Sequence, residues 1–219
     1  MTLKLDDSEL ANNPNIRLPI CLVLDTSGSM IGPKIDELNK GVKFFLERML
    51  KNPITRYSSD ISILTFGGTV EKILDFGDIE NIKISNFSAG GRTPMGEAVL
   101  KALDMLEDRE KQYGENAVYY WKPWLFIMSD GAATDDIEIA AKKTCNLIKN
   151  NKLDLYSIPI LPGTPDELNK FCGTTISLEE LKFEKFFEWL SQSIAGKSES
   201  TPGTEYKLPS PTSWSTTDW

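Results

Sequence analysis

The sequence predicts an α/β fold in which a doubly wound, mostly parallel central sheet has helices on both faces and one antiparallel edge strand. Short apolar runs alternate with longer segments whose apolar residues recur every three or four positions. The 219 residues, of which 40% are hydrophobic, could form one large core or at most two small ones. We expect an arm at 1–16, one domain at 17–195, and a Ser/Thr/Pro-rich tail at 196–219 that is extended or disordered alone.

The first element is an apolar run over residues 20–24, which ends at Asp25. A run that is apolar at every position is typical of a strand buried on both faces. Pro33 then suits the first position of a helix. Apolar residues at helical spacing predict the helix face that packs on the sheet: Ile35, Leu38, Val42, Phe45 and Met49.

Two further strands are predicted at 61–66 and 70–76, and Gly67-Gly68-Thr69 between them indicates a tight antiparallel hairpin. A second helix is expected after them. We assign Thr93 as its N-cap and Pro94 as its first helical residue. The inner face of this helix would carry Ala98, Ala102, Met105 and Leu106.

The second half of the chain repeats the alternation of strand and helix. An apolar run at 124–128 predicts a buried strand that ends just before Asp130. Thr134 is expected to cap a helix to Ile148, with Asp135 and Asp136 in its first turn, where the helix dipole favours negative charge. The remaining predicted elements are a strand at 155–160, a short helix at 165–171, an edge strand at 174–178 and a closing helix at 183–194.

Charge and composition exclude several functions. The net charge is −8 and the calculated pI about 4.8, and no basic run is interleaved with aromatic residues. Nucleic-acid binding is therefore not expected, because a phosphate backbone would be repelled. The chain has no histidine, which excludes Ser-His-Asp and Cys-His catalysis and every histidine-based metal site.

The three cysteines, Cys21, Cys145 and Cys172, are far apart and form no C-x-x-C pair. Neither a zinc site nor a thioredoxin-like motif is predicted, and we expect all three to be reduced, structural residues. The N-terminal residues contain no apolar stretch typical of a secretory signal, and no apolar run approaches the ~20 residues that span a membrane. The sequence thus predicts a cytoplasmic protein without membrane contact.

Five oxygen-bearing residues fall at the ends of predicted strands or at the start of a helix: Asp25, Ser27, Ser29, Thr93 and Asp130. Ligands of open parallel sheets bind at the carboxyl ends of the strands, so these residues should converge. Two carboxylates and three hydroxyls suit a hard divalent cation, and Mg²⁺ requires about six oxygen ligands. The set cannot fill that shell with direct protein bonds, which indicates a position open to another molecule.

These residues resemble the metal-ion-dependent adhesion site (MIDAS) of von Willebrand factor A (VWA) domains: Asp25-Thr26-Ser27-Gly28-Ser29-Met30, then Thr93, then Asp130-Gly131. The resemblance covers roughly 17–195. It implies direct metal contacts from Ser27, Ser29 and Thr93, and contacts through water from Asp25 and Asp130. It also implies that an Asp or Glu of a protein partner completes the shell. Mg²⁺ is the expected ion, with Mn²⁺ or Ca²⁺ as alternatives.

Within that family, the segment 119–136 resembles the TerY-type tellurium-resistance proteins. This resemblance implies a stress-response system in which a kinase or a phosphatase is the partner. The expected function is thus a non-catalytic, metal-dependent adaptor or scaffold.

Three other functions remain open. A Mg²⁺-dependent phosphohydrolase would also place Asp25 at a strand end, but Ser27 stands where such enzymes carry a second Asp, and only Arg92 has a motif-defined place near the site. The Asp25-Thr26-Ser27-Gly28 run is similar to aspartic proteases, although these are all-β and lack the extra Ser. A structural domain with an inactive metal site is the third alternative.

Two aromatic groups have no assigned role in this scheme. The first could pack on the sheet edge or form a partner surface, and we favour packing; its members are Tyr113, Tyr119, Tyr120, Trp121 and Trp124. Trp214 and Trp219 could dock the tail on the domain or on another protein. Asp135 and Asp136 could extend the metal site, but we favour their role at the helix terminus.

Overall fold

The structure is a computed structural model that describes residues 15–77, 84–162, 166–179, 181–201, 204, 206–211 and 214–215. Most of the predicted arm, part of the tail, and Trp219 lie outside the described residues. Six strands form one sheet: β1 Leu18–Asp25, β2 Ser59–Gly67, β3 Thr69–Leu74, β4 Trp124–Ser129, β5 Asp154–Pro159 and β6 Thr174–Thr175. The helices are α1 Pro33–Lys51, α2 Pro53–Ser58, α3 Met95–Glu115, α4 Glu138–Lys149, α5 Asp166–Asn169 and α6 Phe183–Glu199.

The strand order is β3-β2-β1-β4-β5-β6, and every pairing is parallel except that of β2 with β3. This confirms the predicted fold class, including the antiparallel edge strand. The chain proceeds from β1 to β2 on one side, and it later returns to β4 on the other side of β1. The gap beyond the carboxyl ends of β1 and β4 is thus a topological switch point, where ligands of such sheets bind.

Alternate residues of β1 enter two separate cores, which is why its sequence is apolar at every position. Ile20, Leu22 and Leu24 face α1 and α6. Cys21 and Val23 face α3 and α4. All of these residues are at most 1% exposed, so β1 is held rigidly between two layers of helices and fixes the position of Asp25 at its end.

Two predicted helix starts are wrong. Helix α3 begins at Met95, with Pro94 rather than Thr93 as its N-cap. Helix α4 begins at Glu138, with Ile137 rather than Thr134 at the cap position. Both threonines instead bond to each other across the chain, as described below. Helix α2 was not predicted, and β6 is shorter than its predicted span, although Leu178 still bridges to Ile160.

The prediction that all three cysteines are reduced is wrong for two of them. Cys145 on α4 and Cys172 after α5 form a disulfide with a Cα–Cα distance of 5.2 Å, whereas Cys21 is a buried free thiol. The two half-cystines are 27 positions apart, and the helical pattern around Cys145 gave no sign of the pairing.

The described part of the tail after α6 forms neither helix nor strand and packs on the domain. Trp214 is fully buried, with its ring 5.1 Å from those of both Phe186 and Trp189 on α6. The Trp189 indole N–H donates to the carbonyl oxygen of Pro209 at 2.7 Å. Helix α6 itself runs to Glu199, a few residues past the predicted domain boundary.

The aromatic group near β4 is divided between core and surface. Tyr113 and Trp124 are buried, as favoured by the packing interpretation, while Tyr119 is 82% exposed. The ammonium of Lys197 lies 3.9 Å from the ring centroid of Trp121. Among the helices that the structure describes, none combines the length and the apolar composition needed to cross a bilayer.

Candidate functional site

Four loops meet beyond the carboxyl ends of β1, β2 and β4. Three of these loops follow β1, β2 and β4, and the fourth precedes α3. Backbone hydrogen bonds hold together the loop after β1, the loop after β2 and the loop before α3. These bonds, of 2.8–3.1 Å, run from Thr26 N–H to Phe66 O, from Gly28 N–H to Gly91 O, from Gly90 N–H to Thr26 O and from Gly68 N–H to Arg92 O. The loops are therefore braced by main chain, independently of any ligand.

Two glycines permit this close approach. Gly91 has φ +74°, and a Cβ added there would lie 2.5 Å from the Cα of Gly68. A Cβ on Gly67 would lie 2.3 Å from the carbonyl oxygen of Thr26. Since real Cβ atoms do not approach other atoms so closely, larger residues here would push the loops apart.

Asp25 is fully buried at the end of β1, and both of its carboxylate oxygens accept hydrogen bonds. Oδ1 accepts the Ser27 backbone N–H at 2.7 Å, and Oδ2 accepts the Ser129 hydroxyl at 2.5 Å. Ser129 was not among the predicted site residues. It is the last residue of β4, next to Asp130. Because side chains alternate between the two faces of a strand, the inward direction of the Ser129 side chain could have been predicted from the sequence of β4.

Three of the predicted ligands form a continuous chain of side-chain contacts. The hydroxyls of Ser27 and Ser29 are 3.0 Å apart, and the Ser29 hydroxyl donates to Asp130 Oδ1 at 2.6 Å. Asp25 joins this chain through the backbone of Ser27. Four of the five predicted residues thus meet at one point, although Asp130 is 101 and 105 positions from Ser29 and Asp25, respectively, in the printed sequence.

Thr93, the fifth predicted residue, reaches the same edge through its backbone. Its N–H donates to the Thr134 hydroxyl at 2.9 Å, and its carbonyl oxygen accepts the Thr134 N–H at 2.9 Å. Thr93 is buried, and in the described part of the chain no hydrogen bond links its hydroxyl to the other four residues. The loop after β4 therefore fixes Thr93 in place and leaves its hydroxyl available.

Asp135 caps a different helix from the one predicted. Its carboxylate accepts the backbone N–H groups of Gly96 at 3.1 Å and Glu97 at 2.8 Å, at the start of α3. Asp136, which precedes α4, accepts the N–H of Glu138, the first residue of that helix, at 2.8 Å. Both carboxylates therefore satisfy helix N-termini, in line with the favoured interpretation, and Asp135 additionally ties α3 to the loop that carries Asp130.

Lys34 is the cation that sequence reasoning missed. Its ammonium pairs with Asp130 Oδ2, where the Lys34 side chain is 27% exposed and that of Asp130 only 1%. The Arg92 side chain, in contrast, is exposed. Lys34 is the second residue of α1, where a lysine opposes the helix dipole, and this was the signal in the sequence.

Burial raises the pKa of Asp25, and the nearby charge of Asp130 acts in the same direction. Hydrogen bonds from Ser129 and Ser27 lower the pKa but do not offset burial fully. Among the described residues, no cation forms an ion pair with Asp25. The ionised carboxylate is therefore incompletely compensated.

At the opposite end of the strands, the negative charge of a second buried carboxylate, that of Asp60, is fully compensated. It accepts hydrogen bonds from Arg17 at 3.1 Å, from Arg109 at 2.6 and 2.9 Å, and from the Tyr113 hydroxyl. Burial raises the pKa of Asp60, but the two guanidinium groups more than reverse this, so the net shift is downward. Asp25 has no such cationic partners among the residues that the structure describes.

The donors at the β1–β4 edge fit a hard divalent cation. They comprise two carboxylates and three hydroxyls, without nitrogen or sulfur. Within the described ranges no group of three or more Asp, Glu or Cys side chains is arranged so that it could hold a metal ion, so a metal site here would depend on its hydroxyls. An ion bound mainly by neutral hydroxyls retains much of its charge, which suits recognition of a further anionic group.

A family model described as the von Willebrand factor type A domain matches residues 20–188. No curated relative matches the chain in sequence. The vWF domain of the type V pilus tip protein Mfa5 from Porphyromonas gingivalis superposes with a TM-score of 0.61 and 11% identity, covering 88% of this chain and 99% of that domain.

Two further solved structures share this fold. Proximal thread matrix protein 1 from the mussel byssus, with a zinc-occupied MIDAS motif, has a TM-score of 0.54 and 16% identity over 85% of this chain. This chain spans only 47% of the length of that mussel protein. Manganese-loaded TRAP protein of Plasmodium vivax has a TM-score of 0.51 and 18% identity, covering 70% of this chain and 61% of that one.

Proposed function

Because the chain belongs to the von Willebrand factor type A family, we propose that it is a non-catalytic protein-binding module that acts through a divalent cation. The cation would be held by Asp25, Ser27, Ser29, Thr93 and Asp130. The observation that carries the proposal is the polar chain from Asp25 through the two serines to Asp130, at the switch point of the sheet. Its uncompensated buried carboxylate supplies the attraction for a cation.

We propose Mg²⁺ as the ion, with Mn²⁺ and Ca²⁺ as alternatives. An all-oxygen donor set favours these hard ions. The zinc in the mussel protein and the manganese in the P. vivax protein support a divalent ion in this fold, but they do not distinguish among the metals.

When bound, the ion would supply an electrophilic centre for a carboxylate of the partner protein. Ser27 and Ser29 would hold the ion through their hydroxyls, which lie 3.0 Å apart in the 3-10 turn region after β1. Ser129 and the Ser27 N–H hold the Asp25 carboxylate in one orientation. The glycine-braced loops hold the backbone of Thr93 at the same end of the sheet, and no described residue hydrogen-bonds to its hydroxyl, which would be free to contact the ion.

The test is metal binding by calorimetry together with thermal unfolding, with MgCl₂ and MnCl₂ added separately to wild type, Asp25→Ala and Asp104→Ala. The last is the control, because Asp104 is a surface carboxylate that pairs only with Lys143 among the described residues. Metal at tens to hundreds of Kd should raise the melting temperature by roughly 3–10 °C in wild type and in the control. Equal melting curves with and without millimolar metal in wild type would refute the metal site.

Lys34 is a specific observation in favour of the alternative function, a Mg²⁺-dependent phosphohydrolase. Arg92 is the only cation that the sequence motifs predict near the site, whereas Lys34 contacts Asp130 in the structure. A lysine there could contact a phosphoryl group. Turnover of p-nitrophenyl phosphate with Mg²⁺ or Mn²⁺ decides between the two functions, and hydrolysis that disappears in Asp25→Ala would replace the adaptor proposal.

The resemblance of the segment 119–136 to TerY-type proteins supports a narrower proposal: an adaptor in a tellurium-resistance or stress-response system, with a kinase or a phosphatase as partner. Affinity capture with wild type and with Asp25→Ala, each with and without chelator, tests it. A kinase or phosphatase retained only by metal-loaded wild type would support this role. Metal-dependent capture of unrelated proteins alone would contradict it.

The cytoplasmic location stays a prediction. The Cys145–Cys172 disulfide weighs against it, because such bonds persist mainly in oxidising compartments. Rapid alkylation of thiols in intact cells, followed by mass spectrometry, separates the alternatives. Three alkylated cysteines would support the cytoplasm, and alkylation of Cys21 alone, after unfolding, would support an oxidising compartment.

A further inference from the structure

We propose that Lys34 is a tethered counterion that competes with the divalent cation for Asp130, so that metal binding requires the Lys34 ammonium to withdraw. This inference rests on the proposed metal site and concerns how that site is regulated. It assigns a role to a residue outside the five proposed ligands.

The first support is that both oxygens of Asp130 are already engaged by one short segment of chain. Ser29 donates to Oδ1 at 2.6 Å, and the Lys34 ammonium pairs with Oδ2. Ser29 lies in the 3-10 turn after β1, and Lys34 is the second residue of α1. Without metal, each oxygen of the Asp130 carboxylate therefore has one donor, and an ion or its bound water that takes the place of the Lys34 ammonium at Oδ2 displaces that ion pair.

The second support is the unfavourable local position of Lys34. Gly32 is the N-cap of α1 and Pro33 its first residue, so Lys34 is in the first turn, where the helix dipole disfavours positive charge. A residue that conflicts with its local preference is expected to gain from a tertiary contact. The contact with Asp130 is such a gain.

The third support is the charge balance of the site. The site holds two carboxyl groups, those of Asp25 and Asp130, and one ammonium group, that of Lys34. Lys34 pairs with Asp130, so Asp25 has no cationic partner among the described residues. This leaves an attraction for a dication, while the ion pair on Asp130 weakens its binding.

The fourth support is that the Lys34 side chain can move into solvent. Its side chain is 27% exposed, and lysine carries its charge on a flexible stem. It can rotate into solvent while α1 stays fixed by its buried face. After withdrawal the ammonium would remain at the rim of the site, where it would add to the attraction for a carboxylate of the partner.

Calorimetric titration of MgCl₂ and MnCl₂ into wild type, Lys34→Met, Lys34→Arg and Lys40→Met tests this competition. Lys40 is on the same helix and pairs with Glu37 at the surface, so its substitution removes an equal charge away from the site. Lys34→Met should bind metal about three- to tenfold more tightly, as expected for losing one partly exposed ion pair. Lys34→Arg should remain within about threefold of wild type, and Lys40→Met within about twofold.

Thermal unfolding without metal gives a second readout. Lys34→Met should melt at a lower temperature than Lys40→Met, because it leaves both site carboxylates unpaired, and it should gain more on adding metal. If wild type binds metal and Lys34→Met binds it with equal or lower affinity, the competition is overturned and the metal site itself stands. Binding by Lys34→Met alone would support it strongly. No binding by any variant would overturn both the competition and the proposed function.

Discussion

The Ser129 hydroxyl, at the end of β4, donates a 2.5 Å hydrogen bond to Asp25 Oδ2, at the end of β1. Both residues are fully buried. The bond joins the two strands at the switch point of the sheet and holds one carboxylate oxygen in a fixed direction. It thereby links the stability of the sheet to the order of the candidate site.

Ser129→Ala should lower the free energy of unfolding by about 1–3 kcal/mol, because a buried carboxylate loses a donor. It should also weaken Mg²⁺ binding, since Asp25 is then less well oriented. Urea unfolding and calorimetry measure these two effects. Ser193→Ala is the control: its buried hydroxyl donates to a neutral carbonyl, that of Trp189, at 2.8 Å. Equal metal affinity in Ser129→Ala and wild type would show that this bond does not serve the site.

Asp25→Asn and Asp60→Asn should change metal-free stability in opposite directions at pH 7. Because burial raises the folded-state pKa of Asp25 above 3.8, its ionised form destabilises the fold, and Asn should relieve this cost and raise the free energy of unfolding. An Asn in this position can still accept from the Ser27 N–H and donate to Ser129. Asp60→Asn should cost roughly 3–5 kcal/mol, because it leaves Arg17 and Arg109 without their buried partner.

The pH dependence of these two variants should also differ. The gain from Asp25→Asn should shrink as the pH falls through the raised pKa toward 3.8, since wild-type Asp25 then becomes neutral. The loss from Asp60→Asn should persist to lower pH, because the pKa of Asp60 lies below 3.8 in the folded protein. Chemical unfolding between pH 7 and pH 3 measures both. A pH-independent difference between wild type and Asp25→Asn would contradict the raised pKa.

Gly91→Ala should disrupt the site, whereas Gly90→Ala should be tolerated. The added Cβ at Gly91 would meet Gly68 at 2.5 Å in a backbone with positive φ, while Gly90 has no atom within 4 Å of that position. We expect Gly91→Ala to lose about 1–3 kcal/mol of stability and most of its metal affinity, through separation of the two loops. Thermal unfolding with and without Mg²⁺ compares the neighbours, and similar behaviour of both variants would refute the bracing role of these glycines.

Reduction of the Cys145–Cys172 bond should lower the free energy of unfolding by about 3.5 kcal/mol, as expected for a closed loop of this length. Metal binding should persist, because Cys145 lies on α4 and Cys172 follows α5, whereas the five candidate ligands lie at or just after the ends of β1 and β4 or precede α3. Urea unfolding with and without reductant measures the difference, and Cys145→Ser/Cys172→Ser should reproduce it. Stability that does not change on reduction would argue against the disulfide as a constraint on the chain.

The sheet and four of the candidate ligands could be predicted because they follow from local pattern. An apolar run that stops at a carboxylate, as before Asp25 and Asp130, marks both a buried strand and its end. The topology then brings these ends together without further information. The arrangement of Ser27 and Ser29 after β1 is likewise a local property of the turn.

What the sequence missed depends on contacts between distant segments. Thr93 and Thr134 are both of a residue type that commonly caps helices, yet they hydrogen-bond to each other instead. Cys145 and Cys172 pair over a distance in sequence that no motif marks. Lys34 was overlooked because its partner, Asp130, is 96 positions away, and only the dipole conflict at the start of α1 pointed to it.

The buried indole of Trp214 has a practical consequence for anyone who shortens this protein. A version that stops at residue 195, where the hydrophobic pattern suggests a boundary, would uncover the rings of Phe186 and Trp189 that Trp214 now shields. Aromatic surface that becomes exposed to solvent favours self-association. Recombinant protein used to measure ion affinity should thus retain the C-terminal segment that carries Trp214, because aggregation of a shortened protein could be mistaken for a response to magnesium.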